Sequence, residues 1–157
     1  MFKEEGFDTI MWLDIGLRKA GREFVFDYHT NDNVEGRRKL SALVVDDSAD
    51  IALMLTMILQ NAGYEAVMST SAVEALKLAD NRNFDLVISD IAMPEMDGYS
   101  LARALRSRPE YRQIPLIAVT GFDRYDDRER ALAAGFNTHI KKPVEPTRFI
   151  ELVSSIT

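Results

Sequence analysis

Short apolar runs alternate with longer amphipathic segments along residues 40–157 of the chain. Each run is rich in small or branched apolar residues and is flanked by polar or turn-forming residues, which is typical of buried strands in a parallel sheet. Five such runs are present, namely SALVVDD at 41–47, YEAVMST at 64–70, DLVISD at 85–90, PLIAVT at 115–120 and NTHIKKP at 137–143.

The segments between these runs carry apolar residues at intervals of three and four positions, which is the spacing of one helix face. Ser48 stands where a side chain can cap the first helix, and Gly63 and Gly135 stand where helices end. The apolar spacing includes Met54 in the first helix, and Val73 in the second is expected to face inward. Helices are predicted at about 48–61, 71–80, 99–107, 124–134 and from Pro146 onward.

Five strands that alternate with five helices predict an α/β fold, a doubly wound parallel sheet with helices on both faces. Crossover connections between parallel strands are right-handed, so few arrangements remain. In folds of this kind the functional site lies at the carboxyl ends of the strands, where the strand order switches. A chain of 157 residues has room for one such domain and a small addition.

The first 39 residues do not fit this repeat, so we expect an N-terminal arm at 1–39 and the main domain at 40–157. FDTIMWLDIGLRKAG at 7–21 has the pattern of a short amphipathic helix, and REFVFDYH at 22–29 has that of a strand, followed by a polar linker. Phe24, Phe26 and Tyr28 share one face of that strand and are costly to leave in water. We expect the arm to dock between the subunits of a homodimer, with docking on its own domain or a disordered remnant as alternatives.

Composition argues against several classes of function. The net charge of −6 disfavours nucleic-acid binding, which needs clustered Lys and Arg. The absence of cysteine removes disulfides, thiolate metal sites and thiol nucleophiles. The apolar stretches fall short of a membrane span, and MFKEEGF lacks the pattern of a signal peptide. We therefore expect a soluble, cytoplasmic protein with no nucleic-acid or membrane partner.

Polar residues stand at the carboxyl ends of four of the five predicted strands. Asp46 and Asp47 end the first strand, Asp90 the third, Thr120 the fourth and Lys142 the fifth. Because these ends meet at one edge of a parallel sheet, three acids, a hydroxyl and an ammonium are predicted to converge. Clustered carboxylates tolerate one another around a hard cation such as Mg²⁺. The same constellation can receive a phosphoryl group on Asp90, with Mg²⁺ and Lys142 stabilising the phosphoryl oxygens.

Four pieces of sequence then carry a family resemblance. They are VVDD at 44–47, the D-x-x-M-P-x-M-D-G run from Asp90 to Gly98, V-T-G at 119–121 and K-P at 142–143. In their order and spacing the chain resembles the receiver domain of two-component response regulators, the CheY-like family, over about three quarters of its length. The resemblance implies a five-stranded sheet with strand order 2-1-3-4-5.

The resemblance also implies a metal site. Asp47 and Asp90 correspond to direct Mg²⁺ ligands, together with the backbone carbonyl of Ala92, and Asp46 corresponds to a residue that acts mainly through water.

Further roles follow from the same resemblance. Asp90 corresponds to the phosphoacceptor, Thr120 to the switch hydroxyl, and Lys142 to the contact with the phosphoryl group. The bond before Pro143 is expected to be cis, a state that proline makes accessible. The family's switch aromatic, three residues before the Lys, is replaced by His139, which either couples to Thr120 or is an exposed edge residue.

By resemblance, the chain accepts phosphate from a histidine kinase or phosphotransfer protein and signals by contact with a downstream protein. It is expected to have no DNA-binding output domain and no enzyme activity beyond self-catalysed phosphoryl transfer and autodephosphorylation. One alternative is a phosphatase of the haloacid-dehalogenase type, which needs a second Asp where this chain has Ala92. The other is a receiver-shaped interaction module that never turns over phosphate.

Overall fold

The computed structural model describes residues 38–121 and 127–157, together with the two short strands Leu17–Ala20 and Glu23–Phe26. The chain divides into two compact units, Met1–Arg37 and Arg38–Thr157. The strands are β1 (Leu17–Ala20), β2 (Glu23–Phe26), β3 (Ser41–Val45), β4 (Glu65–Ser69), β5 (Leu86–Asp90), β6 (Leu116–Thr120) and β7 (Thr138–Lys141). The α-helices are α1 (Ala49–Asn61), α2 (Ala72–Asn81), α3 (Gly98–Arg106), α4 (Asp127–Ala134) and α5 (Pro146–Ile156), with a short 3₁₀ helix at Pro109–Tyr111.

Strands β3 to β7 form one parallel sheet with the order β4-β3-β5-β6-β7. Counted from β3, this is the predicted order 2-1-3-4-5, so the predicted fold class is confirmed. The strand order switches at β3, because the chain passes from β3 to one neighbour, β4, and then crosses to the other, β5. The carboxyl ends of β3 and β5 therefore lie side by side at the switch point, where doubly wound folds place their sites.

Two apolar layers cover the sheet, one on each face, as the alternation of strands and helices predicted. Leu43 and Val45 of β3 point into the layer that packs under α2, α3 and α4. Ala42 and Val44 point to the other face, where α1 and α5 contribute side chains such as the fully buried Phe149. Every residue of β3, β5 and β6 is buried, which explains why these strands read as continuous apolar runs.

The helix ends follow the predicted chemistry with one exception. Gly63 and Gly135 have φ of 93° and 110°, the left-handed conformation expected of glycine after a helix. Ser48 occupies the N-cap position of α1, but its side chain makes no capping hydrogen bond. The carboxylate of Asp46 instead accepts a hydrogen bond of 2.9 Å from the Ser48 amide. The entry to α1 is thus held by an acid of the strand end.

One predicted inward residue is wrong. Val73 is 39% exposed, because the face of α2 that packs on the sheet runs through Ala72, Ala75 and Ala79. These small side chains lie three and four positions apart, and Val73 falls outside their stripe. Met54, at helical spacing with the apolar face of α1, is 40% exposed for the same kind of reason.

The N-terminal unit contains an antiparallel pair, in which Leu17 lies opposite Phe26 and Ala20 opposite Glu23. The predicted strand at 22–29 is confirmed for Glu23–Phe26. The predicted helix at 7–21 is wrong for Leu17–Ala20, which is a strand, and its remaining residues lie outside the described part of the chain. Gly21 can stop a helix, but it is equally a hairpin signal when two residues separate two strands.

Among the helices of the described residues, none combines the length and the apolar character that a bilayer crossing requires.

Candidate functional site

The pairing of three strands places the predicted site residues at one edge of the sheet. Val45 lies opposite Ser89 in the β3–β5 pair, so Asp46 follows one strand beside Asp90 at the end of the other. The β5–β6 pair sets Asp90 opposite Val119, the residue before Thr120. The sequence-predicted convergence of strand ends is therefore present in the fold.

Three carboxylates form a compact acidic cluster at this edge. Asp46, Asp47 and Asp90 each offer an oxygen atom within 4.8 Å of the others. Asp46 is 1% exposed and Asp90 4% exposed, whereas Asp47 is open to solvent. Two buried like charges at this distance repel each other and have lost much of their hydration. A positive charge next to the cluster would therefore stabilise it.

Lys142 supplies part of that charge from the end of β7. Its Nζ lies 2.8 Å from Asp46 Oδ2 and 3.2 Å from Asp90 Oδ1. The backbone amide of Lys142 donates a 2.8 Å hydrogen bond to the carbonyl of Thr120, which ties the end of β7 to the end of β6. The peptide bond between Lys142 and Pro143 is cis, as the resemblance implied. One ammonium against three carboxylates leaves an excess of negative charge.

Burial has the largest influence on the pKa values of Asp90 and Lys142, and the neighbouring charges and hydrogen bonds come second. Burial raises the pKa of the Asp90 carboxyl, and the nearby Lys142 ammonium opposes this rise without cancelling it. For Lys142, partial burial works to lower the pKa of the ammonium. Its hydrogen bond to Asp46 and the charges of Asp90 and Asp46 outweigh that effect, so the pKa of Lys142 is raised. Lys142 accordingly stays protonated beside the carboxylates throughout the neutral range.

The donor set fits a hard divalent cation. All three cluster members are carboxylates, two of them are buried, and Mg²⁺ prefers oxygen ligands with some retained waters. Asp47, being exposed, leaves a solvent side through which an ion and its waters can enter. Ala92, whose carbonyl the resemblance adds to the ligand set, is exposed two residues beyond Asp90.

The remaining predicted residues lie around this cluster or apart from it. Thr120 is buried at the end of β6, opposite Lys141 in the sheet. His139 is exposed on β7, three residues before Lys142, and does not belong to the acidic cluster. It lines two grooves that flank β7, of about 520 Å³ beside α5 and about 130 Å³ beside α4. The structure thus gathers the three acids and Lys142, and leaves His139 outside.

Sequence reasoning missed one polar residue next to the site. Ser89 is buried, and its hydroxyl donates a 2.8 Å hydrogen bond to the backbone carbonyl of Asp90. A hydroxyl inside the apolar run DLVISD, directly before its terminal acid, was the available signal.

The pattern at Asp97 and Gly98 predicts turn formers before a helix. Asp97 indeed caps α3 by accepting a 2.7 Å hydrogen bond from the Ser100 amide.

Known proteins are similar to this chain in architecture and in sequence. The family described as the response regulator receiver domain matches residues 42–154. The chain is 36% identical over 115 residues to the polar-differentiation response regulator DivK of Brucella abortus, which covers 73% of this chain and 94% of that protein. The solved structure of the chemotaxis protein CheY4 of Vibrio cholerae is similar with a TM-score of 0.74 and 30% identity, covering 76% of this chain and 100% of that chain.

A further similar structure bears on the acidic cluster. It is the receiver domain of the sensor histidine kinase PA1611 from Pseudomonas aeruginosa PAO1, with a TM-score of 0.69 and 26% identity. The match covers 76% of this chain and 98% of that chain, and that structure has a magnesium ion coordinated in its active site cleft.

Proposed function

This chain belongs to the response regulator receiver domain family, and on that premise we propose that it accepts a phosphoryl group on Asp90 with the help of Mg²⁺. Receiver domains are signalling modules of two-component systems and not conventional enzymes. The proposal is that the phosphorylated form signals by contact with a downstream protein. We also propose that the chain acts in the cytoplasm, where ATP is available for the phosphorylation of a histidine kinase.

The observation that carries this proposal is the bridging position of Lys142. Its ammonium contacts Asp46 and Asp90 together, at 2.8 and 3.2 Å, and Asp47 completes the acidic cluster. A buried carboxylate with an adjacent fixed cation is suited to nucleophilic attack on an anionic phosphoryl group, because the cation offsets the repulsion between the two.

The proposed reaction transfers phosphate from a histidine to an aspartate. An oxygen of the Asp90 carboxylate attacks the phosphorus of a phosphohistidine on a histidine kinase or phosphotransfer protein. An O–P bond forms as the N–P bond breaks, and the released electron pair stays on the imidazole nitrogen, which takes up a proton. The product is an acyl phosphate on Asp90. Lys142 stabilises the negative charge on the transferred oxygens, and Thr120 donates a hydrogen bond to them.

The carboxylates of Asp47 and Asp90 and the carbonyl of Ala92 would hold Mg²⁺ directly, with Asp46 acting through water. When bound, the ion supplies positive charge that stabilises the phosphoryl oxygens. Asp46 also positions Lys142. One of its carboxylate oxygens accepts a hydrogen bond from the Ser48 amide, and the other accepts one from the Lys142 ammonium. It fixes the ammonium beside the nucleophile.

Readout is proposed to pass through Thr120 and β7. Thr120 lies opposite Lys141 in the sheet, and the Thr120 carbonyl accepts the Lys142 amide, so movement of Thr120 is transmitted to β7. His139 stands on that strand between the grooves beside α4 and α5. A downstream protein that contacts these grooves would sense the change, with His139 and Pro143 on the responding strand.

The residues also weigh against the alternative chemistry. A haloacid-dehalogenase-type phosphatase needs an acid two residues beyond its nucleophile, and Ala92 provides none. A receiver-shaped module without phosphate turnover has no need of a lysine held at the nucleophile. Mass spectrometry of the full chain after incubation with acetyl phosphate and Mg²⁺ separates the receiver from both alternatives. We expect an adduct of one phosphoryl group, and an unmodified chain would favour one of the alternatives.

The N-terminal unit is proposed to join two copies of the chain. Its β1–β2 pair is a two-stranded antiparallel hairpin, and an isolated hairpin of this size is only marginally stable in water. In the sequence, Phe24 and Phe26 alternate with Glu23 and Val25, a pattern that is typical of a strand with one aromatic face. A second copy of the same hairpin offers a matching apolar face, which favours a homodimer.

A further inference from the structure

Gly98, the first residue of α3, lies against the backbone of Asp90 itself. A Cβ atom placed on Gly98 would overlap the Asp90 carbonyl oxygen and would stand 2.9 Å from Ile91 Cα and 3.1 Å from the Asp90 carbonyl carbon. All three neighbours are backbone atoms, so no side-chain rotation could relieve the contact. Only glycine allows the helix start and the end of β5 to approach so closely.

The need for glycine here is one of space. Gly98 is not among the residues with positive φ, so an L-residue could adopt its backbone conformation. Gly63 shows the opposite case, with φ of 93° and no atom within 4 Å of the position that a Cβ would take. Gly98 is thus required because of the space around it, and Gly63 because of its backbone conformation.

Hydrogen bonds hold the peptide between Asp90 and Ile91, and the peptide that follows it, from further sides. The Ser89 hydroxyl donates to the Asp90 carbonyl at 2.8 Å. The Gly98 amide donates to the Ile91 carbonyl at 2.9 Å, and the Ile91 amide donates to the Val119 carbonyl at 3.2 Å. The peptide between Asp90 and Ile91 is therefore fixed by β6 and by the Ser89 hydroxyl, with the Gly98 backbone packed against its carbonyl. The peptide after it, between Ile91 and Ala92, is held by the amide of Gly98 at the start of α3. Together these two peptides set the direction of the Asp90 carboxylate and the path of the chain toward Ala92.

We propose that Gly98 and Ser89 are positioning residues for phosphoryl transfer, which hold the Asp90 peptide so that the Asp90 carboxylate and the Ala92 carbonyl face one Mg²⁺ ion. The inference rests on the proposed function of Asp90. Neither residue touches the phosphoryl group in this account. Their effect passes through the placement of Asp90, and displacements of about 1 Å at a reacting group can reduce rates by about 100-fold.

The test compares Gly98→Ala with Gly63→Ala in the full chain. Both variants introduce one methyl group at a glycine, and both are expected to lower the thermal unfolding temperature. Gly98→Ala should in addition weaken Mg²⁺ binding, measured by calorimetry, on the order of tenfold. It should also slow phosphorylation by acetyl phosphate at saturating Mg²⁺ by about 10-fold or more. Gly63→Ala should leave Mg²⁺ affinity and the phosphorylation rate within about twofold of the natural chain, because it lies far from Asp90.

A folded Gly98→Ala variant with natural Mg²⁺ affinity and natural rate would overturn the proposal. If Gly98→Ala does not fold, Ser89→Ala decides, since it removes only the hydroxyl that donates to the Asp90 carbonyl. A severalfold loss of rate in Ser89→Ala supports positioning, and an unchanged rate and affinity contradict it. Failure of the natural chain to be phosphorylated at all would instead contradict the proposed function, so the two failures are distinguishable.

Discussion

Lys142 and Asp46 form an ion pair of 2.8 Å in which the carboxylate is 1% exposed. The same ammonium lies 3.2 Å from Asp90, slightly farther from the proposed nucleophile than from its anchor. Asp46 thus holds Lys142 in place, and Asp90 remains able to exchange part of that contact for an incoming phosphoryl group. The pair relates the end of β3 to the end of β7, with β5 and β6 between them in the sheet.

Lys142→Met should destabilise the fold in the absence of Mg²⁺. Removing the ammonium leaves the carboxylates of Asp46 and Asp90 buried without a counter-charge. Breaking a fully buried pair typically costs about 3–5 kcal/mol, and because Lys142 is 23% exposed we expect a smaller loss of about 1–3 kcal/mol. Urea unfolding with and without Mg²⁺ measures it, and the ion should recover part of the loss. Lys77→Met, at an exposed position of α2, is the control, and equal losses for the two variants would contradict the account.

Arg106 should contribute to stability but not to phosphorylation. From the end of α3 its guanidinium donates to the carbonyls of Gly135, Tyr111 and Ile114 and to the side chain of Asn137, at 2.6–2.9 Å. Arg106→Met keeps the length of the side chain but leaves these acceptors without their donor. We expect a loss of about 2–4 kcal/mol in the free energy of unfolding.

The control for this change is Arg103→Met, at an exposed position of the same helix, which should cost much less. Because Arg106 lies at the amino edge of the sheet, away from Asp90, the rate of phosphorylation by acetyl phosphate should be unchanged below the unfolding temperature. A selective loss of that rate would show that the guanidinium network reaches the site.

Asp85 should make the free energy of unfolding depend on pH in the acidic range. Its carboxylate accepts hydrogen bonds from the two terminal guanidinium nitrogens of Arg38, at 2.6 and 3.0 Å, and from the amide and hydroxyl of Ser41. Burial works to raise the pKa of Asp85, but the hydrogen bonds from Arg38 and Ser41 outweigh it and lower the pKa below 3.8. The stabilisation is therefore present above pH 3.8 and is lost as the pH falls through the depressed value. Asp85→Asn should be less stable than the natural chain at about pH 5, with a difference that shrinks toward about pH 2, whereas a constant difference would contradict this origin.

Removal of residues 1–37 should convert a dimer into a monomer. The cut is placed before Arg38, because Arg38 pairs with Asp85 and belongs to the larger unit. Sedimentation of the full chain and of residues 38–157 measures the change. The shorter chain should be monomeric, folded and still phosphorylated. A full chain that stays monomeric at high concentration would refute the dimer, and a shorter chain that fails to fold would refute the domain boundary.

The acidic cluster could be predicted from the sequence because the carboxyl ends of parallel strands meet at one edge of the sheet. An apolar run that ends in an acid places that acid at the carboxyl edge, and Asp46 and Asp90 both satisfy this pattern. Strand order came from the family resemblance, since periodicity alone does not say which strands are neighbours. The exposure of Val73 depended on which stripe of α2 meets the sheet, and three alanines decided it.

Other features depend on contacts that no local pattern encodes. Arg38 meets a carboxylate 47 positions away, and Arg106 binds mainly backbone carbonyls, which every residue possesses. The close approach of Gly98 to Asp90 was hidden for a similar reason, because a glycine before a helix reads equally well as a turn former. The strand at Leu17–Ala20 was missed because a glycine after an apolar segment can end a helix or begin a hairpin.

The location of the phosphoryl label shows directly whether Asp90 is the phosphoacceptor. The natural chain, Asp90→Asn and the control Asp80→Asn are incubated with radiolabelled acetyl phosphate and Mg²⁺, and labelled peptides are mapped. Asp80 lies on α2 and pairs with Arg108, so its change should leave labelling intact. We expect acid-labile, hydroxylamine-sensitive label in the natural chain and in Asp80→Asn, and none in Asp90→Asn or in the presence of a chelator. Label that persists in Asp90→Asn, or a natural chain that remains unlabelled with Mg²⁺, would contradict this assignment.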